Sequence, residues 1–379
     1  MKVTKIEIVR NAKPILLPEA WRPAWLEPDV KPQKTVGFAF YRVHTDEGIV
    51  GLGPCRNTSD PVEPFVESTL IGQDPFYVER FWDLNMSGRG VTLGSYPCGG
   101  LEIALWDIIG KATGEPVYKI LGAYRDRVPA YAATAQLHSP EEHAKEAVEF
   151  SERGIRAMKL RLHRSRVEDD LKVVEAVRDA VGDELTIVVD ANQNHQSIHY
   201  DYWSLQTAKK VARRLERLEV YWLEEPLPRA DLKGLAELCA SVDIYIAGGE
   251  HATNIYELRN SLLAGAYDIV QPDVTIGNIG ITGIRKLAVI ADSLGKGIVP
   301  HVSGTGNHAF FLAATLQALC SVRNDTFIEY TLEPPSLVPE YLQAIVKEPI
   351  LIDKQGNVQV PQKPGLGIEL NGEVIAKYT

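Results

Sequence analysis

Cysteine is scarce: the 379 residues hold four (Cys55, Cys98, Cys239, Cys320), and no two form a Cys-x-x-Cys pair. Scattered this way they supply neither a zinc cluster nor a disulfide framework, which suits a reducing cytosol. No long basic run is present and the net charge is −10, so nucleic acid and anionic membrane surfaces are not expected as partners. Long apolar runs are missing as well. The least polar stretch, 309–322, carries Thr315 and Gln317 and is too short to cross a bilayer. Residues 1–10 alternate as a strand and have no apolar signal core. A soluble cytoplasmic protein without internal repeats or low-complexity segments is therefore expected.

What remains is an ordinary globular composition, 45% apolar and 24% charged, in a chain long enough for a large core. The informative stretch is 186–193, TIVVDANQ. Three β-branched residues run into Asp190, as in a strand buried on both faces that delivers a carboxylate at its C-terminal end. The pattern recurs at Lys159, Glu224, Glu250, Asp273, His301 and Glu329, with successive steps of 23 to 34 residues. One βα unit takes about 30 residues. Seven strands that each end in a titratable residue, alternating with helical segments, predict a (β/α)-barrel with its chemistry at one mouth.

Upstream, strands are expected at 2–9, 36–44 and 49–52, the last two joined by the turn Thr45-Asp46-Glu47-Gly48, followed by three helical segments. Residues 11–33, with five prolines and with Trp21 and Trp25, read as an irregular loop of the kind that forms lids. Ser139-Pro140-Glu141-Glu142 is a capping box that opens the first barrel helix. Two tail strands, 350–352 and 358–360, are expected to pack back on the N-terminal region. The predicted organisation is α/β: an α+β capping domain (1–125), the barrel (126–335) and a C-terminal segment returning to the cap (336–379).

Asp190, Glu224 and Glu250 come from three consecutive strands. Three hard oxygen donors without a thiolate favour Mg2+, or Mn2+, and leave positions open for substrate. His251 follows Glu250 directly, and strand alternation would turn it to the opposite face. Asp273 and His301 end adjacent strands, where a carboxylate on one imidazole nitrogen raises the basicity of the other. Lys159 and Arg161 share a strand face on the opposite flank, and Glu329 completes the ring.

With these residues the chain resembles the enolase superfamily, and within it the mandelate racemase subgroup, over essentially its whole length. The match rests on Lys159-Leu160-Arg161 at the family's K-x-K position, Asp190 in DAN, Glu224 in EEP, Glu250 in GGE, Asp273 in QPD, His301 in PHVSG, and Glu329. The resemblance implies a (β/α)7β barrel and an Mg2+ held by Asp190, Glu224 and Glu250 that receives a substrate carboxylate. It also implies that His301 removes the adjacent α-proton while Lys159 and Glu329 steady the enediolate. Two positions depart from the family: Arg161 replaces the second lysine, and Pro54 replaces the glutamate after Gly51-Leu52-Gly53.

Arginine is a poor base, with a pKa above about 12, so two-base racemisation is demoted. One histidine can take the α-proton and then protonate a departing β-hydroxyl. The expected activity is an acid-sugar (aldonate or aldarate) dehydratase that yields 2-keto-3-deoxy acids. The alternatives are a lactone cycloisomerase, whose tail Pro364-Gly365-Leu366-Gly367-Ile368-Glu369 resembles, or a racemase/epimerase. A binding protein that had lost catalysis would show a broken triad or dyad, and both are intact. Asn192, Trp21, Arg22, Arg56, Tyr96 and His195 are the candidate contacts to the sugar acid, and a homo-oligomer is expected.

Overall fold

Two glycines decide how the first layer packs. A Cβ at Gly53 would lie 1.9 Å from the Gly100 carbonyl oxygen, and one at Gly51 would lie 2.2 Å from that of Ala104. Only bare backbone lets the strand meet the helix Gly99–Thr113 this closely. That strand, β5 (Val50–Pro54), follows β1 (Val3–Arg10), β2 (Ile15–Trp21), β3 (Gln33–Val36) and β4 (Ala39–Thr45). In the computed structural model, which describes residues 1–56, 62–87, 98–195, 201–304, 306–323 and 327–379, β1, β4 and β5 form an antiparallel sheet in the order β1-β4-β5. Pro54 closes the edge strand β5, where the next bond to β4 comes from the Cys55 amide to the Ala39 carbonyl at 2.9 Å. The absent Pro54 N–H therefore costs no ladder bond.

The region expected to be irregular holds a strand. β2 pairs antiparallel with β3, with a register shift between Leu16 and Trp21. Ile15, Leu17 and Trp21 are buried and Leu16 is exposed. The prolines concealed this strand, yet a two-stranded ribbon is all edge and tolerates Pro18 at its irregular point. The single strand expected over 36–44 is instead divided between β3 and β4.

The second layer is the barrel. β6 (Arg127–Ala133), β7 (Ala157–Arg161), β8 (Thr186–Asp190), β9 (Trp222–Glu224), β10 (Tyr245–Gly248), β11 (Ile269–Val270), β12 (Gly297–Ile298) and β13 (Ile328–Thr331) form a curled parallel sheet in the order β12-β11-β10-β9-β8-β7-β6-β13. Helices Pro140–Glu152, Val167–Val181, Leu205–Arg217, Leu232–Cys239, Ile255–Leu263, Gly280–Ser293 and His308–Leu319 alternate with the strands. This is a (β/α)7β TIM-like barrel under a capping region. The capping box forms as expected, with the Ser139 hydroxyl accepting from the Glu142 amide at 3.2 Å and the Glu142 carboxylate from the Ser139 amide at 2.8 Å. No helix among the described residues is long and apolar enough to cross a membrane.

Inside the barrel an apolar floor separates from the outer core: Tyr131, Val188, Trp222, Ala247, Ile269 and Val299 cluster there. Trp222 meets Tyr131 edge-on with centroids 5.3 Å apart. Strand alternation then lifts the next inward residues, Lys159, Asp190 and Glu224, to the mouth.

The tail differs from the two strands expected at 350–352 and 358–360. β14 (Asn357–Gln359) pairs antiparallel with β6 of the barrel, and 350–352 contributes a single bridge, Ile352 to Val358. Farther on the tail meets the cap through Asp107, a buried carboxylate of helix Gly99–Thr113. Asp107 accepts from the Leu52 amide at 2.8 Å, the Leu366 amide at 2.8 Å and Lys111 Nζ at 2.6 Å. Asp107→Asn turns an acceptor into a donor among donors. It is expected to lower stability by about 2 to 3 kcal/mol in urea unfolding, and a loss below about 1 kcal/mol would show that the latch is redundant.

Candidate active site

The barrel mouth concentrates charge. Lys159, Arg161, Asp190, Glu224, Glu250, Asp273 and Glu329 are all buried there. Lys159 Nζ lies 2.7 Å from Glu329 Oε1, 3.1 Å from Glu224 Oε1 and 3.9 Å from Asp190 Oδ2. Its own burial works against the charge, but Glu224 and Glu329 outweigh it and raise the Lys159 pKa. Tyr131 supports the ammonium from the floor, its ring centroid 5.4 Å away. Arg161 donates Nε–H to the Thr134 carbonyl at 2.8 Å and Nη1–H to Asp190. Its guanidinium lies 4.8 Å from the Trp25 ring centroid.

Asp190 is braced by Asn192, whose backbone amide and side-chain amide donate to it at 2.8 and 2.9 Å. Asn192 reaches both oxygens because it adopts a left-handed φ of 47°. Across the mouth, His301 Nδ1 lies 2.7 Å from Asp273 Oδ2. Asp273 Oδ1 accepts from the Thr275 amide (2.6 Å), the Thr275 hydroxyl (2.9 Å) and the Ile276 amide (2.7 Å), which fixes the carboxylate. Arg56 reaches over from the cap, donating to Thr275 Oγ1 at 2.8 Å with Nη2 3.9 Å from Asp273. Burial would raise the Asp273 pKa, but Arg56 and His301 overcome it and hold Asp273 down at about 2.

His301 Nε2 is turned toward the mouth, 3.5 Å from Glu250 Oε2. Burial disfavours its charged form, yet Glu250, then Glu329 and the bond to Asp273, raise it to about 9. In the metal-free protein the resulting ion pairing stabilises the fold fully below about pH 6.5 and is lost as pH rises through about 9. A cation beside Glu250 opposes that rise. An NMR titration is therefore expected to find His301 charged at pH 8 without metal and shifted to a lower pKa by Mg2+. A metal-free value at or below the ordinary 6.5, or no response to Mg2+, would contradict this.

Asp190, Glu224 and Glu250 offer only carboxylate oxygens from adjacent strands. Burial, opposed by Lys159, pushes Glu224 up to about 7, with Asp190, Glu329 and Glu250 adding to it, while the burial of Glu250 is overcome by His301, His251 and Lys159, which hold it well below the usual carboxylate range. Neighbouring Glu225 carries a buried Oε2 with no hydrogen-bond partner. This donor chemistry fits a hard divalent ion such as Mg2+ or Mn2+.

A cavity of about 220 Å³ opens onto these groups. Of the residues expected to touch a ligand, Trp21, Arg56, Asn192 and His195 line it together with Arg161, Glu250, His301 and Glu329. Trp21 presents a buried Nε1–H without a partner. Arg22 is a correction. It lines a separate groove with His138 and Arg164, and its guanidinium donates to the Pro28 carbonyl, because neighbours along an extended chain face opposite ways. Tyr96 lies outside the described residues. His251 is a second correction. It lines the cavity with Nδ1 2.9 Å from Glu250 Oε1, because Gly249 at φ 107° ends the strand alternation. Trp25, read from sequence only as part of the lid-like loop, and Thr331, not singled out, also line the cavity. The Gly248-Gly249 pair before Glu250 was the available signal for His251.

Comparison with known proteins agrees with this architecture. Residues 142–374 match the model described as enolase C-terminal domain-like, and 16–122 match the mandelate racemase / muconate lactonizing enzyme N-terminal domain. D-galactarolactone cycloisomerase of Agrobacterium fabrum is 33% identical over 354 residues, 89% of each chain. Arabinonate dehydratase of Saccharolobus solfataricus is 30% identical over 351 residues, again 89% of each. The crystal structure of L-talarate dehydratase from Polaromonas sp. JS666, complexed with Mg and L-glucarate, superposes with a TM-score of 0.81 at 29% identity, covering 100% of this chain and 97% of that one. A capped barrel with acids on successive strand ends defines the class. The chain belongs to the enolase superfamily, in its mandelate racemase/muconate lactonizing enzyme subgroup.

Proposed function

We propose that the protein is an Mg2+-dependent acid-sugar dehydratase acting on an aldonate or aldarate, with Asp190, Glu224 and Glu250 as the metal ligands. When bound, the ion supplies Lewis-acid stabilisation of charge on the substrate carboxylate. His301 Nε2, with Nδ1 held by Asp273, takes the proton α to that carboxylate. The Lys159 ammonium, held in place by Glu329 at 2.7 Å, steadies the negative charge that develops. The imidazolium then returns its proton to the β-hydroxyl, the C–O bond breaks, water leaves, and the enol rearranges to a 2-keto-3-deoxy acid. Asn192, Trp21, Arg56 and His195 contact the rest of the sugar acid.

The observation that carries this reading is the state of Arg161. Its guanidinium is tied to the Thr134 carbonyl and Asp190 beneath Trp25, with Asp190 outweighing burial to raise its pKa. It holds charge and does not accept a proton, so the flank that a two-base enzyme needs carries no base at this position. A lactone cycloisomerase is the second reading, supported by the 33% identical D-galactarolactone cycloisomerase. It begins with the same proton abstraction.

A panel of aldonic acids, aldaric acids and their lactones, incubated with enzyme and Mg2+, separates the two. Stoichiometric 2-keto acid from one or a few members is expected. Isomerised lactone without 2-keto acid would transfer the protein to the cycloisomerases.

A further inference from the structure

Beside the carboxylate set, His195, Glu250 and His251 bring metal-ligating atoms within 4.8 Å of one another. Two imidazoles and one carboxylate are a borderline donor set, which Zn2+, Co2+ and Ni2+ favour over Mg2+. His251 Nδ1 lies 2.9 Å from Glu250 Oε1, yet this buried nitrogen has no hydrogen-bond partner. A separation of about 3 Å between donors that do not point at each other is what neighbouring ligands adopt around an ion bound at about 2.1 Å.

The two imidazoles are also braced. The His195 and His251 rings stand at 88° with centroids 5.2 Å apart, one meeting the other edge-on rather than stacked. Trp25 packs on His195 at a centroid distance of 6.0 Å, and the Arg229 guanidinium holds the His251 carbonyl. All three ligands line the cavity at the barrel mouth, so an ion enters from solvent without rearrangement of the fold.

We propose that His195, Glu250 and His251 form a second metal site, selective for a borderline divalent ion such as Zn2+ and distinct from the hard-ion set Asp190–Glu224–Glu250. The two sites share Glu250. An ion at the second therefore draws Glu250 away from the first and occupies the cavity, which makes Zn2+ an inhibitor. Only this competition rests on the proposed Mg2+ site; the binding itself does not.

Calorimetric titration of the full-length protein with Zn2+ in excess Mg2+ tests the proposal. One Zn2+ per chain is expected. His195→Ala and His251→Ala should each weaken binding at least about tenfold, while Asp190→Asn leaves it in place. Should either alanine variant fold poorly, His195→Gln and His251→Asn keep the volume and serve instead. Co2+ as a spectroscopic probe should give visible absorption of nitrogen-ligated metal that both histidine variants lose. No Zn2+ uptake in excess Mg2+, or uptake unchanged in the histidine variants, would overturn the proposal. So would uptake lost on Asp190→Asn, since the ion would then belong to the carboxylate set. Failure of the dehydratase reading leaves every one of these binding results intact.

Discussion

Asp190→Asn, Glu224→Gln and Glu250→Gln are each expected to reduce turnover roughly 10³-fold or more, the several kcal/mol of charge stabilisation that a catalytic divalent ion supplies. EDTA is expected to do the same, reversibly on adding Mg2+. The barrel should remain folded in all three variants, because each replacement is isosteric and removes one negative charge from a crowded acidic cluster. Melting temperature provides that control. Glu224→Gln is the most informative of the three. Lys159 then loses an ionic partner at 3.1 Å but keeps Glu329 at 2.7 Å, so a purely structural role for Glu224 would show as a lowered melting temperature with metal affinity intact. Full activity in metal-free buffer would end the proposed mechanism.

His301→Asn is expected to lose about 10² to 10⁴ in rate, and to lose α-proton exchange with D2O along with dehydration. The reason lies in the asymmetry of the mouth. His301 is held at Nδ1 by Asp273 and turns Nε2 toward the cavity beside Glu250, whereas Arg161 is tied to two partners and pinned under Trp25. A lysine at 161 keeps one charge but cannot reach the Thr134 carbonyl and Asp190 as a planar fork does. Arg161→Lys should therefore slow dehydration without altering the stereochemistry of proton transfer. If Arg161 served instead as a second base, His301→Asn would retain exchange from the opposite face, and Arg161→Lys would gain epimerase activity. Deuterium entering with inversion in the wild-type enzyme would place the protein among the epimerases.

Much of this site was legible in the one-dimensional pattern. Strand alternation and the βα repeat depend on neighbouring residues, so the positions of Lys159, Asp190, Glu224, Glu250, Asp273, His301 and Glu329 at successive strand ends could be read from spacing. The capping box at Ser139 was equally local. The Asp273–His301 pairing also followed from order, since consecutive strands of a parallel barrel lie side by side.

Other features depended on packing between distant segments. β2 was hidden by prolines whose cost vanishes in a two-stranded ribbon. β14 joined β6 because the first barrel strand offered it an unpaired stretch of backbone, something no local pattern announces. His251 was expected on the opposite face, but Gly249 breaks the alternation just before it, and Arg22, a candidate contact, lines a separate groove while Trp21 before it faces the cavity. Trp25 over Arg161, and Arg56 reaching Asp273 from the cap, join residues more than 130 and 210 positions apart. The sequence by itself determined which groups the barrel mouth holds, because periodicity is local steric chemistry. Which of them are locked and which stay open to the cavity was decided only when cap and barrel packed on one another.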